Sequence, residues 1–113
     1  GANILLTSPA EATRQYKKAV AGLINTTKAR PDYSDGFYLL GNAYFADNQP
    51  EKAIEAYKKC LEMSPRFARA RYNLAMVQLQ MKNKVAASEQ YNILVGLDKT
   101  LATKLKTEID KLP

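Results

Sequence analysis

Phe37-Tyr38-Leu39-Leu40-Gly41-Asn42-Ala43-Tyr44, then Asp47-Asn48-Gln49-Pro50, then Ala53-Ile54-Glu55-Ala56-Tyr57, is the stretch on which the fold turns. Phe37, Leu40, Gly41 and Tyr44 recur at steps of three and four residues, which gathers them on one face of a helix. Asp47-Asn48-Gln49 is a polar break. Pro50 suits the first position of a second helix, where a missing N–H costs nothing. Ala53, Ile54, Tyr57, Cys60 and Leu61 carry the apolar stripe onward until Ser64-Pro65 stops it. Two short helices joined by a tight turn are therefore expected over residues 34–67.

The same pattern returns one unit later. At a shift of 34 residues, Tyr38, Leu40, Ala53, Glu55 and Tyr57 meet Tyr72, Leu74, Ala87, Glu89 and Tyr91. Gly41/Ala75, Phe45/Leu79, Cys60/Leu94 and Met63/Leu97 are conservative pairs. A fixed period of this length is the signature of a stacked repeat array. The helices of the second unit are expected at about 68–81 and 84–97.

The spacing resembles the tetratricopeptide repeat, W-x2-L-G-x2-Y, then A-x3-F, then P. Here it reads Phe37-x2-Leu40-Gly41-x2-Tyr44, Ala53-x3-Tyr57 and Pro65. The second unit departs from the pattern, with Arg71 at the first aromatic position and Lys99 at the proline position. Near the N-terminus, Pro9-x2-Ala12-x3-Tyr16-Lys17-Lys18 parallels Pro50-x2-Ala53-x3-Tyr57-Lys58-Lys59, so residues 8–30 resemble the second helix of a partial repeat. Ser8 and Glu11 have capping-box spacing at its start. Leu101, Leu105, Ile109 and Leu112 mark a terminal helix with one polar face, as the end of a stack requires. The expected fold is all-α: an antiparallel helix-pair solenoid with a C-terminal capping helix. Residues 1–113 form one domain in this reading. It comprises a long N-terminal helix (8–30), a complete repeat (34–67), a weaker repeat (68–101) and the capping helix (101–112).

Composition narrows the function. Histidine is absent and Cys60 is the one cysteine, which leaves no catalytic histidine pair and no internal disulfide. No glycine-rich phosphate loop is present, so neither an enzyme nor a cofactor or metal site is expected. Cys60 reads as an inert core thiol, and Tyr16, Tyr44, Tyr57 and Tyr91 as core-stripe residues. The net charge of +6 favours acidic partners. Lysines interleaved with Glu51, Glu55, Glu62 and Glu89 do not form the continuous stripe that nucleic acid wants, and no apolar run suits a membrane. Ile4-Leu5-Leu6 is too short for a signal-peptide core. The start at Gly1-Ala2 reads as a cut boundary, compatible with a removed targeting segment, so no compartment is assigned.

What the resemblance implies is a concave groove lined by the first helix of each repeat. By register it takes Asp35, Tyr38, Asn42 and Phe45 from one unit. Arg69, Tyr72, Asn73 and Met76, with Leu79 at the edge, come from the next. Aromatics, amides, a methionine and one arginine suit a protein or peptide segment with apolar anchors and an acidic group. Some family members grip a chaperone's terminal carboxylate with lysines, asparagines and an arginine. Asn42 and Asn73 match that set, but Tyr38, Thr103 and Thr107 stand where its basic residues would be, so the clamp is not rebuilt. The expected role is a non-catalytic scaffold or adaptor. The alternative is a homodimer formed through an exposed apolar face of the long helix, at Leu23 and Ile24. Neither Arg69 nor Asn42 lies on a packing stripe, so both are expected to be replaceable without loss of folding.

Overall fold

The computed structural model describes residues 8–113. Among these, six helices and no strand follow one another: α1 (Pro9–Ala29), α2 (Ser34–Ala46), α3 (Pro50–Met63), α4 (Ala68–Gln80), α5 (Lys84–Leu94) and α6 (Lys99–Asp110). The fold is the all-α helix-pair solenoid that the spacing predicts. Ile4-Leu5-Leu6 lies outside the described residues. The inner helices α2, α4 and α6 touch in succession, whereas the outer helices α1, α3 and α5 touch only inner ones. A radius of gyration of 15.1 Å exceeds the ~13 Å of a compact chain of this length, and the extents of 39 × 36 × 25 Å describe a flattened stack.

The repeat is written in the turns. After α2, Asp47, Asn48 and Gln49 donate their backbone N–H groups to the carbonyls of Ala43, Phe45 and Tyr44. After α4, Met81, Lys82 and Asn83 donate to Val77, Leu79 and Gln78, the same pattern 34 residues on. The middle residue of each turn has a positive φ, 58° at Asn48 and 64° at Lys82. Asparagine tolerates that conformation; lysine pays a Cβ clash of about 1 kcal/mol.

The turn after α1 matches the turn after α3. Arg30 donates to Thr26 and Tyr33 to Arg30, as Ser64 donates to Cys60 and Phe67 to Ser64, with Pro31 and Pro65 in equivalent places. At that register α1 begins seven residues before the counterpart of Pro50. The parallel between Pro9 and Pro50 thus marks the same helical face two turns early. Those two turns overhang α2, and Lys17 at their base reaches Asp47 beyond the end of α2 at 3.3 Å. Tyr16 is consequently 39% exposed and is not a core residue, because no inner helix lies against it among the described residues. Ser8 caps α1 by accepting from the Glu11 N–H at 3.1 Å, the serine half of the expected box.

The second unit ends differently from the first. The Pro65 ring sits in a turn closed by the Phe67 N–H on the Ser64 carbonyl, and α4 starts only at Ala68. Lys99 lacks that ring, and Asp98 accepts from the Leu101 N–H at 3.0 Å, so α6 is capped and begins at Lys99 rather than near residue 101.

Three apolar clusters hold the stack. Val20, Leu40 and Ala56 join α1, α2 and α3, with Leu23 and Ile24 packed against them. Ala53, Tyr57, Cys60, Leu61, Ala70, Leu74 and Val77 join α3 to α4, with α2 side chains packed alongside. Ala75, Leu79, Ala87, Leu94, Ala102, Leu105 and Ile109 close the C-terminal end. The tightest crossing is Gly41 on Tyr57: a Cβ added at Gly41 would sit 2.5 Å from Cε1 of the fully buried Tyr57 ring. Only the absence of a side chain lets α2 and α3 approach this closely.

Candidate functional site

The inner helices bring most of the expected groove residues into three groups along one surface. At the N-terminal ends of α2 and α4, the Tyr38 and Phe67 rings lie 4.7 Å apart between centroids. The Arg69 guanidinium sits above both, 5.7 Å from Tyr38 and 5.9 Å from Phe67. Arg69 is exposed, and among the described residues no carboxylate pairs with it. Asp35 is exposed in the first turn of α2. Half a stack further along, the Tyr57 hydroxyl donates to Asn42 Oδ1 at 2.5 Å and Asn73 Nδ2 donates to the same oxygen at 2.9 Å. At the C-terminal ends, Phe45, Met76, Leu79 and Gln80 line an apolar cleft of about 290 Å³. Glu108, Lys111 and Leu112 of the C-terminal segment close its far wall.

Tyr72 is the outlier. It is half-buried and packs on the cluster between α4, α5 and α6, so its ring serves the core more than the surface. Asn42 differs from expectation in another way. Its oxygen satisfies the hydroxyl of Tyr57, which has no exposed surface, so Asn42→Ala would strand a buried donor. Such a loss costs about 1–3 kcal/mol, and Asn42 is therefore not replaceable without consequence. Burial drives the Tyr57 pKa upward, with the Asn73 amide partly offsetting it, and keeps the hydroxyl a donor.

Beyond the cleft walls of Gln80, Glu108, Lys111 and Leu112, two further neighbours of the site lie outside the residues expected from the sequence. Phe67 supplies the second ring under Arg69; its equivalence with Tyr33, each an aromatic two residues after a proline, was the available signal. Leu39 is 45% exposed and occupies in α2 the place that Asn73 holds in α4. Asn73 reaches back to the preceding inner helix, whereas Leu39 has no inner helix before it among the described residues.

The outer side is built otherwise. Arg71, at the first aromatic position of the second unit, bonds Gln90 Oε1 at 2.9 Å and the Pro65 carbonyl at 2.8 Å, leaving Nε buried without a partner. Burial lowers its pKa. Gln78, at the place of Tyr44, is buried with Oε1 unpaired. In the first unit Phe37, Leu40 and Tyr44 floor a cleft of about 160 Å³ rimmed by Lys52, Glu55 and Lys59. The Cys60 thiol is fully buried, and burial pushes its pKa up to about 11. No helix of the described residues is long and apolar enough to cross a membrane.

Comparison with known proteins agrees with this architecture. One family model, described as tetratricopeptide repeat, matches residues 34–67, and a second with the same description matches residues 56–90. A peroxisomal targeting signal receptor of Candida albicans is 34% identical over 86 residues, covering 76% of this chain and 14% of that protein. The protein O-mannosyl-transferase TMTC3 of Homo sapiens is 35% identical over 72 residues, 64% of this chain and 7% of that protein. The match thus spans a small part of these curated relatives. Among solved structures, the Yersinia enterocolitica type III secretion chaperone SycD, in complex with a peptide of the translocator YopD, shares the fold. Its TM-score is 0.79 at 20% identity, covering 87% of this chain and 79% of that one. With the period, the turn geometry and two family matches that together span residues 34–90, the chain belongs to the tetratricopeptide-repeat family.

Proposed function

We propose that the chain is a non-catalytic interaction module whose inner surface holds a segment of another protein carrying an acidic group. The observation that carries this reading is Arg69, fixed on an aromatic shelf without a carboxylate partner, on the same face as the Phe45–Met76 cleft. A guanidinium so placed favours a planar, two-oxygen partner. The cleft offers an anchor for an apolar side chain. The related fold of SycD, in complex with a peptide of YopD, and the peroxisomal targeting signal receptors among the relatives support a protein or peptide as the partner. Affinity should be micromolar or so, because the segment must be ordered on binding. The test is a pull-down followed by calorimetric titration of the segment recovered. Arg69→Ala should weaken binding about tenfold and flatten its salt dependence, and Met76→Gln should weaken it at any salt concentration. Binding untouched by either change would move the partner off this surface.

Self-association is the second reading, and one observation favours it. Ala53, Ala56, Tyr57 and Cys60 are buried on α3, which has α2 and α4 against it, whereas α1 packs on α2 alone among the described residues and leaves their counterparts Ala19, Gly22, Leu23 and Thr26 exposed or half-buried. Leu23 and Ile24 themselves pack against the first cluster, so the open strip centres on Ala19 and Gly22 instead. Light scattering of the chain and of Ala19→Glu distinguishes the cases. A concentration-dependent dimer lost in the variant supports this reading, and a monomer throughout removes it.

A further inference from the structure

The three groups on the inner surface are spaced, and the spacing has chemical content. Arg69 and Met76 are seven residues apart on helix α4, which sets the backbone positions carrying the cation and the apolar anchor ~10.5 Å apart along its axis and on one face. Between them lie Asn42 and Asn73. Asn42 Oδ1 is occupied by two donors, which leaves its Nδ2 as a donor, while Asn73 has spent an N–H and keeps Oδ1 as an acceptor. Among the described residues neither remaining atom has a partner, and neither is among the buried unpaired atoms, so both meet solvent.

An unspent donor on Asn42 and an unspent acceptor on the Asn73 bonded to it complement what every peptide carries, a backbone C=O and N–H. Those groups are available only if the bound segment has not already paired them. A helical ligand has paired them; a polyproline II segment has none paired. The same conformation fits the spacing. It advances ~3.1 Å per residue with three residues per turn, so residues three apart share a face ~9 Å apart. A β-strand turns residues three apart to opposite faces.

We propose that the groove reads a polyproline II-like segment in which an acidic and an apolar side chain stand three residues apart. The acidic group lies on Arg69, the apolar one in the Phe45–Met76 cleft, and the intervening backbone on the Asn42–Asn73 amides. This deepens the proposed function and rests on it.

Random dodecapeptides displayed on phage and selected on the immobilised chain test it. The expected pool shares Asp or Glu three positions from Leu, Met or Phe. A synthetic peptide of that sequence should lose about tenfold in affinity when the separation is changed to two or four residues. Selection on Arg69→Glu should replace the acidic residue by Lys or Arg and keep the apolar residue and the separation. Peptides that lose affinity for Arg69→Ala and Met76→Gln, yet show no fixed separation or a seven-residue one, would overturn the extended-segment ruler and leave the groove reading standing. Peptides indifferent to both substitutions, or a pool without enrichment, would overturn both.

Discussion

Two glycines placed differently in the stack make a matched experiment. Gly41 and Gly22 both lie inside helices, where glycine costs roughly 1 kcal/mol relative to alanine. A Cβ at Gly22 meets nothing within 4 Å, so Gly22→Ala should raise stability by about 0.5–1 kcal/mol. A Cβ at Gly41 meets three Tyr57 ring atoms, Cε1, Cδ1 and Cζ, at 2.5, 2.6 and 2.9 Å. That ring cannot slide aside cheaply. It is fully buried and its hydroxyl is held by Asn42. Overpacking of this kind costs about 1–3 kcal/mol, and losing the hydroxyl's partner adds to it, against the ~1 kcal/mol of helix propensity recovered. Gly41→Ala should therefore be about 1–2 kcal/mol less stable than the parent, and about 1.5–3 kcal/mol less stable than Gly22→Ala. Urea unfolding followed by circular dichroism reads both as shifts of the midpoint at constant slope. In a thermal scan each kcal/mol moves the transition by about 4 °C for a chain of this size. Equal stabilisation of both variants would refute the α2–α3 crossing and the register built on it.

Lys82→Gly should stabilise the chain by up to about 1 kcal/mol in the same assay, because it removes the strain of a positive φ at an exposed position; Asn48→Gly should change much less. Cys60 should resist iodoacetamide at pH 8 in the folded chain and react on unfolding, since its folded pKa is raised to about 11 by burial. A folded pKa above the unfolded value stabilises fully below the unfolded value, so the contribution of Cys60 to the unfolding free energy should be constant through neutral pH and fall above about pH 9, and Cys60→Ser should flatten that part of the alkaline loss. Tyr57→Phe should cost about 1 kcal/mol and, by releasing Asn42, should weaken the binding of any segment that uses its amide.

Most of the architecture was legible because two kinds of residue announce it at fixed distances. Gly41 opposite Tyr57 and the turn Asp47-Asn48-Gln49-Pro50 leave a helix pair little freedom, and the shift of 34 residues copies the pair once. What was not legible came from ends and from shared atoms. Tyr16 stands on the right helical face, but exposure depends on whether a neighbouring helix exists at that height, which periodicity does not encode. The early start of α6 followed from the small difference between Pro65 and Lys99. Asn42 was recognisable as a surface position, yet its oxygen is also the partner of a buried hydroxyl fifteen residues away, and no pattern of spacing signals a shared acceptor. Phe67 precedes its helix rather than lying on its stripe, so periodicity does not mark it. Leu39 lies off the stripe, and the exposure of such an apolar residue depends on the neighbours of α2, which spacing does not encode.

The central claim, that the inner surface is the binding surface, is tested most directly by following the side-chain amide signals of Asn42 and Asn73 by nuclear magnetic resonance during titration with a bound segment. The expected result is saturable shifts of both amides and of the Arg69 and Met76 signals, with the midpoint moved to higher concentration in Arg69→Ala. Shifts confined to the outer cleft at Lys52, Glu55 and Lys59, with both asparagine amides unmoved, would contradict it.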